Sequence, residues 1–395
     1  MNDLRQSAHA AGMSPPPPRR SIRWLVACCG WGVGISLFLA CSPPTRGQDD
    51  SRTRNGSGDS PGQTSEPVDV SPELIATYRS TSFAKELRDY NEIIDQCDRA
   101  IASPQRAGDQ AYATRLKAWA LNRRGEVLWD QATATAQLDE SLRARAIEDF
   151  YGALSADPGR WRAMQNLGIV EADAGRWEEA LAQFDRVIEL QPAYPNAYFN
   201  RAEVRLQMGE PELALADYQR AIDLDGEQAD FYRGRGHALF ELGRYGPAVE
   251  DFSHAVSLTP QDAERYVDRG DALQSLGRWV EAEQDYRRAL NLDRNLADAL
   301  RNLAWLLATC PEQSIRRGND AVQLARLANA AAGETAEYRF AETLAAAYAE
   351  TGQWGPAEEQ IRRAIAQAPE EERPALAATL EQVLQHQPIR QAPIQ

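Results

Sequence analysis

Between Trp161 and Arg294, apolar and small residues return in the same columns every 34 positions. Gly175, Gly209, Gly243 and Gly277 mark the period, and Ala180, Ala214, Ala248 and Ala282 follow them by five residues. An aromatic stands nine after each glycine (Phe184, Tyr218, Phe252, Tyr286), and a small apolar residue twelve after (Val187, Ala221, Ala255, Ala289). A leucine closes each block at fifteen (Leu190, Leu224, Leu258, Leu292), and Gly168, Ala202, Gly236 or Gly270 stands seven before. Apolar spacings of three and four inside a period of about 20 to 50 residues predict one helix pair per block, each stacked on the next.

The columns assign the parts of the pair. A glycine without Cβ reaches the left-handed conformation that closes the first helix. The small residues on either side of it lie where the two helices cross, since a larger side chain there would part the axes. The aromatics fill the space towards the next block. Pro192 and Pro260 stop the second helix in two blocks, while Gly226 and Arg294 hold that place in the others. Further out, Ala345, Gly352, Trp354, Ala357, Ile361, Ala364 and Pro369 fit another block. Gly125, Ala146, Phe150, Ala153 and Pro158 fit one with nine extra residues between its helices, and Leu300, Leu303, Ala304, Ala321, Ala325 and Ala328 fit a seventh with five extra.

These residues closely resemble the tetratricopeptide repeat family. The family's aromatic two residues after the glycine is present as Trp177, Tyr245 and Trp279, with Pro211 in the remaining block as the first residue of its helix. The resemblance implies an all-α fold in which helix-turn-helix repeats stack as a right-handed α-solenoid with a concave face that holds peptides. Seven repeats are expected over residues 118–369, after a degenerate N-terminal repeat at 72–117 that caps the stack. A capping helix over 370–386, carrying Leu376, Leu380 and Val383, and a frayed tail over 387–395 complete the chain.

Composition changes the picture at two points. The net charge of −15 makes an acidic surface that repels phosphate backbones, so nucleic acid is not an expected partner. At the N-terminus, Arg19, Arg20 and Arg23 precede an uncharged run from Trp24 to Ala40, the pattern of an export signal or membrane anchor over residues 1–41. Three endings are open. Leu37 to Cys41 resembles a bacterial lipobox with Cys41 as the lipidation candidate, although Phe38 replaces the usual leucine; cleavage after Gly47 and an uncleaved anchor are the alternatives. Residues 42–71, rich in Ser, Gly, Pro, Asp and Arg, read as a disordered tether. The expected location is therefore extracytoplasmic or periplasmic and membrane-associated, with secretion as the alternative.

Candidate chemistry is sparse. Cys97 and Cys310 are expected to be free thiols, because a secreted domain that relied on disulfides would carry more cysteines. Neither a zinc-protease, a CxxC nor a phosphate-loop motif occurs, and the single GxSxG spacing, Gly58 to Gly62, falls in the Ser- and Gly-rich tether. His237 and His254 have no ligand cluster around them in the sequence. No enzyme activity, cofactor or metal is expected.

What remains is a binding surface on the first helices. Beside the core columns runs a second stripe: Trp119, Asn122, Glu126 and Trp129; Arg162, Gln165 and Ile169; Asn196, Phe199, Glu203 and Leu206. It continues through Asp230, Arg233, His237 and Phe240, then Glu264, Val267, Asp271 and Gln274, then Asp298, Arg301 and Trp305. Aromatics interleaved with more acids than arginines suit a protein or peptide with apolar anchors and basic residues. The plainer alternative is lateral packing between repeats. The basic carboxylate clamp known in the family is not matched, because Gln165, Ile169, Asp230 and Gly234 occupy its places beside Asn200. A ladder of asparagines is half present in Asn166, Asn200 and Asn302, interrupted by Gly234 and Asp268. The expected function is a non-enzymatic scaffold or adaptor, with a repeat lipoprotein that assembles an outer-membrane or envelope complex as the alternative.

Overall fold

The structure, a computed structural model, describes residues 69–134, 139–333 and 337–391. The export signal or anchor, Cys41 and nearly all of the tether lie outside them. The described residues form seventeen helices that pair as stacked repeats. They belong to two compact units, one ending at Asp285 and the other beginning at Tyr286, with the boundary inside α12 (Trp279–Leu292).

In the first unit, α1 (Pro72–Ser80) and α2 (Leu87–Ala102) precede the long α3 (Asp109–Thr133), which extends N-terminally of the expected repeat boundary at 118. Tyr90, Ile93, Ile94 and Cys97 of α2 are buried in one core with Leu74, Tyr112 and Leu116. The buried Asp109 ties the hairpin to the chain before it: its carboxylate accepts from the backbone N–H of Ser71 (2.7 Å), Gln105 (2.9 Å) and Arg106 (3.0 Å). Those three bonds hold its pKa below the ordinary carboxylate value even though desolvation acts the other way.

The repeats follow as α3 with α4 (Glu140–Ala156), α5 (Trp161–Asp173) with α6 (Trp177–Leu190), and α7 (Pro195–Gln207) with α8 (Pro211–Leu224). Next come α9 (Ala229–Glu241) with α10 (Tyr245–Leu258), and then α11 (Ala263–Ser275). Each second helix also packs on the next first helix: α6 on α7, α8 on α9 and α10 on α11. The period glycines do what their spacing predicts. Gly243 has φ +70°, and around it the N–H of Arg244 reaches back to the carbonyl of Leu239 (2.9 Å), satisfying one of the carbonyls left open at the helix end. The crossing glycines make room: a Cβ on Gly236 would lie 2.6 Å from Phe252 Cε1, and one on Gly168 the same distance from Phe184 Cε1. The aromatics therefore seat on the small residue of their own repeat. They also reach onward, as Phe184 shares a core with Val204 of the next block.

The second unit contains α13 (Ala297–Thr309) with α14 (Gly318–Ala332), α15 (Tyr338–Glu350) with α16 (Trp354–Gln367), and α17 (Arg373–Leu384) packed on α16. Its core is alanine-rich: Ala341, Ala345, Ile361, Ala364, Ala368 and Leu376 form one cluster. The five extra residues expected between the helices of this block form the loop from Cys310 to Arg317. One expectation is corrected. The tail does not fray from residue 387, because Ile389 is buried and Arg390 and Gln391 bond to the end of α13.

Among the described residues no helix is long and apolar enough to cross a membrane. Cys97 and Cys310 are buried thiols outside any disulfide. Burial, followed by the charge of Asp98 and against that of Lys117, pushes the Cys97 thiol up to about 12, so it stays a protonated packing group.

Candidate protein-binding face

The first helices place the candidate stripe residues in three different settings. In α3 and α5 they bond to one another. The Asn166 amide donates to Asn122 Oδ1 (3.0 Å) and Glu126 Oε1 (3.2 Å), and the Asn122 amide donates to Glu126 (2.8 Å). Arg123 completes the group with an ion pair to Glu126 (2.6 Å). Here the asparagines link neighbouring repeats. Arg162 stacks over the Trp161 ring at 4.5 Å, and Gln165 is buried.

A second group packs laterally, as the plainer alternative held. Trp119 is buried against Tyr90, with ring centroids 6.0 Å apart. Phe199, only 2% exposed, lies 5.1 Å from Phe231 and 5.9 Å from Tyr218. These two aromatics are not open anchors. Phe240 is half-buried and meets Tyr245 edge-on at 5.1 Å. Asn200 and Asn302 are buried, whereas Asp271 is half-buried.

The third group is a charged network across α7, α9 and α11. Arg233 bonds Asp268 (2.7 Å) and lies 3.3 Å from Glu264; Arg265 reaches back to Asp230 (2.9 Å). His237 Nε2 is 3.6 Å from Asp268 Oδ1, and its ring meets Phe252 edge-on at 5.1 Å. Glu203 accepts the Tyr218 hydroxyl. The network sorts its carboxyls by their partners. Desolvation opposes ionisation of Asp268, yet Arg233 and His237 outweigh it and hold that carboxyl well below its usual range. For Glu203 desolvation wins and the pKa rises, with the Tyr218 bond, His237 and Arg233 only opposing it. Desolvation also raises Glu264 despite Arg233. At the end of α9, desolvation and the charge of Glu203 push Glu241 up to about 7 against the pull of His237.

Sequence reasoning found Glu203, Asp230, Arg233 and His237, and missed Tyr218, Arg265 and Glu241 as members. Tyr218 was read only as a core aromatic, because its column is aromatic throughout. In the second unit, Arg301 lies 3.6 Å from Asp298 and over the Phe340 ring at 5.8 Å, with Trp305 half-buried beside it.

A further column escaped the sequence reading. Arg201, Arg235 and Arg269, eight before their glycines, each fork onto an aspartate eight after: Asp217, Asp251 and Asp285. The same guanidinium reaches the second helix of the preceding repeat, at Asp185 (2.6 Å), Gln219 and Ser253 (3.5 Å). It also lies over Tyr198, Tyr232 or Tyr266, one turn before it. Arg124 and Asp149 repeat the fork between α3 and α4. Planar bidentate geometry is particular to arginine, so these are staples between helices and between repeats, and their side chains are spent on the fold.

Helix hairpins in register, closed by left-handed glycines and held by a repeating ion pair, define an all-α repeat protein. The sequence profiles described as "TPR repeat" and "Tetratricopeptide repeat" match residues 168–209, and 199–263 and 263–296, respectively. Residues 168–296 therefore carry tetratricopeptide repeats. Among solved structures the chain is similar to the APC/C hetero-tetramer Cut9-Hcn1, at 16% identity and TM-score 0.52, over 75% of this chain and 52% of that one. It is also similar to YrrB, described as a TPR protein with an unusual peptide-binding site (21% identity, TM-score 0.40, 49% of this chain and 96% of that one). A third is pilF of Pseudomonas aeruginosa (21% identity, TM-score 0.47, 56% and 98%).

Proposed function

We propose that this repeat protein is a non-enzymatic scaffold whose first helices capture a peptide or protein segment bearing basic residues and apolar anchors. The observation that carries the reading is the charge balance on α7, α9 and α11. Glu203, Asp230, Glu241, Glu264, Asp268 and Asp271 stand there against Arg233, Arg265 and His237, because the other four arginines of these helices, Arg201, Arg205, Arg235 and Arg269, are engaged by Asp217, Asp251 and Asp285 of the second helices. Arg233 and Arg265 are already bonded to Asp268, Glu264 and Asp230. A lysine or arginine brought in by a partner would relieve the carboxyls that desolvation penalises, and such charge complementarity selects partners more than it sets raw affinity. Export to the extracytoplasmic side, with the repeats held at a membrane by the N-terminal segment, is part of the proposal. Arg19, Arg20 and Arg23 ahead of the uncharged run support it.

The test is affinity capture from cross-linked membranes with wild type and the Asp230→Arg/Asp271→Arg variant. Reversal should weaken recovery of the partner, whereas unchanged recovery removes this face from the function. A cysteine labelled from the outside of intact cells checks the membrane side.

A further inference from the structure

The last carbonyls of an α-helix have no partner within the helix and must find one elsewhere. At the end of α13 each acceptor is answered. Leu306 O takes the N–H of Cys310 (3.0 Å) and Leu307 O that of Arg317 (2.9 Å). The next two are answered by the segment after α17: Ala308 O accepts from Arg390 Nη1 (3.3 Å) and Thr309 O from the backbone N–H of Gln391 (3.0 Å). The Gln391 amide adds a bond to Thr309 Oγ1 (2.8 Å). Arg316 closes the loop side by donating to Cys310 O (2.8 Å) and Pro311 O (3.0 Å).

The same segment is fixed at two further points. Arg390 pairs with Glu350 at the end of α15 (2.6 Å), whose other oxygen holds Arg316 (3.0 Å), and Ile389 beside it is buried. A guanidinium set among helix C-terminal carbonyls and a carboxylate is held by charge, dipole and hydrogen bonds together. Upstream, His386 turns the chain out of α17 at φ +56°, a left-handed conformation that a non-glycine residue adopts reluctantly. Its ring stacks on Trp354 with centroids 5.1 Å apart and planes 15° apart. Within α13, Thr309 follows the stripe residue Trp305 by one helical turn, and its hydroxyl bonds the Trp305 carbonyl (2.7 Å).

We propose that Gln387–Gln391 is an intramolecular strap occupying a peptide seat formed by the ends of α13 and α15. The same seat takes, in trans, an extended segment with a β-branched apolar residue followed by arginine. Its requirements are read from the bonds: backbone N–H for Thr309 O, a guanidinium for Glu350 and Ala308 O, and an apolar side chain in the place of Ile389. This deepens the scaffold reading and rests on it, for it names the partner's chemistry and makes access depend on release of the strap.

The experiment uses a labelled peptide of residues 388–395 and the chain ending at Gln387, which keeps the backbone bonds that close α17. The truncated chain should bind the peptide and the full chain at least tenfold more weakly. Arg390→Ala in the peptide, or Glu350→Gln in the truncated chain, should each cost at least tenfold. Equal binding to both chains, or binding indifferent to both substitutions, overturns the proposal. Should the truncated chain not fold, full-length Arg390→Glu, which sets like charges against Glu350, releases the strap instead. There the Gln391 amide should lose its protection from hydrogen exchange and the peptide should bind; a protected Gln391 or no binding overturns it. The outcome is separable from the scaffold test. Peptide binding with partner capture indifferent to Asp230→Arg/Asp271→Arg keeps the strap and removes the charged face, and the converse keeps the face alone.

Discussion

Arg235 and Asp251 meet through two parallel hydrogen bonds, Nε to Oδ2 at 2.7 Å and Nη2 to Oδ1 at 2.6 Å, joining α9 to α10. Asp251 is buried, while Arg235 keeps partial contact with solvent. The relationship recurs one period earlier and one later at Arg201 with Asp217 and Arg269 with Asp285. A repeat cannot hold its own hairpin by a small apolar core alone, and this fork supplies orientation that apolar contact lacks.

Asp251→Ala should therefore destabilise the α9–α10 hairpin by about 2–3 kcal/mol. That is less than the about 3–5 kcal/mol of breaking a fully buried pair, because water still reaches the stranded guanidinium. Hydrogen exchange should show faster opening in α9 and α10 first, and uniform loosening of the whole chain would contradict a local staple. Arg235→Lys, with Asp251 in place, should also cost stability but less than Asp251→Ala, since an ammonium still pairs with the carboxylate but does not match the fork.

Two glycines of one repeat should fail for different reasons. Gly243→Ala meets open space but sits at φ +70°, costing about 1–2 kcal/mol of backbone strain. Gly236→Ala drives a Cβ against Phe252 and costs about 1–3 kcal/mol by overpacking. A double-mutant cycle with Phe252→Leu should show coupling for Gly236 and none for Gly243; coupling at both would mean that the left-handed turn is not the issue.

Stability should fall as pH rises through the range where Glu241 ionises. A carboxyl whose folded pKa is raised contributes stability fully present below its unfolded value and lost as pH climbs through the folded one, here about 7. Asp268 acts in the opposite sense: its depressed pKa contributes stability present above the usual aspartate value and lost on acidification. Unfolding midpoints of wild type should thus decline between about pH 5 and about pH 8, and Glu241→Gln should flatten that decline. An unchanged slope in the variant would assign it to other groups.

In a chain begun after Cys41, a thiol reagent should find no reactive cysteine in the folded protein and two after denaturation, because Cys97 and Cys310 are both buried thiols outside any disulfide. Rapid labelling of Cys310 in the native state would show that its loop opens.

The repeat glycines, crossing residues and helix pairs were legible because each is fixed by spacing within one block. The candidate face was legible only as a stripe. Trp119 and Phe199 fit the stripe by register, yet rings contributed by Tyr90, Tyr218 and Phe231 cover them. The Arg–Asp column was present in the sequence at the same period, at eight before and eight after the glycine. It passed unnoticed because polar columns on helices ordinarily mark solvent.

By itself, the sequence determined that the chain forms helix hairpins with a period of 34 residues, and where each hairpin turns and crosses. Those features are local: a left-handed turn needs glycine, and a close crossing needs a missing side chain, wherever the neighbours lie. Tertiary structure decided which stripe residues stay open, which carboxyls find an arginine, and that residues 387–391 return to the end of α13. Such pairings join residues tens of positions apart, and the angle at which hairpins stack, which no single block encodes, brings them within bonding distance.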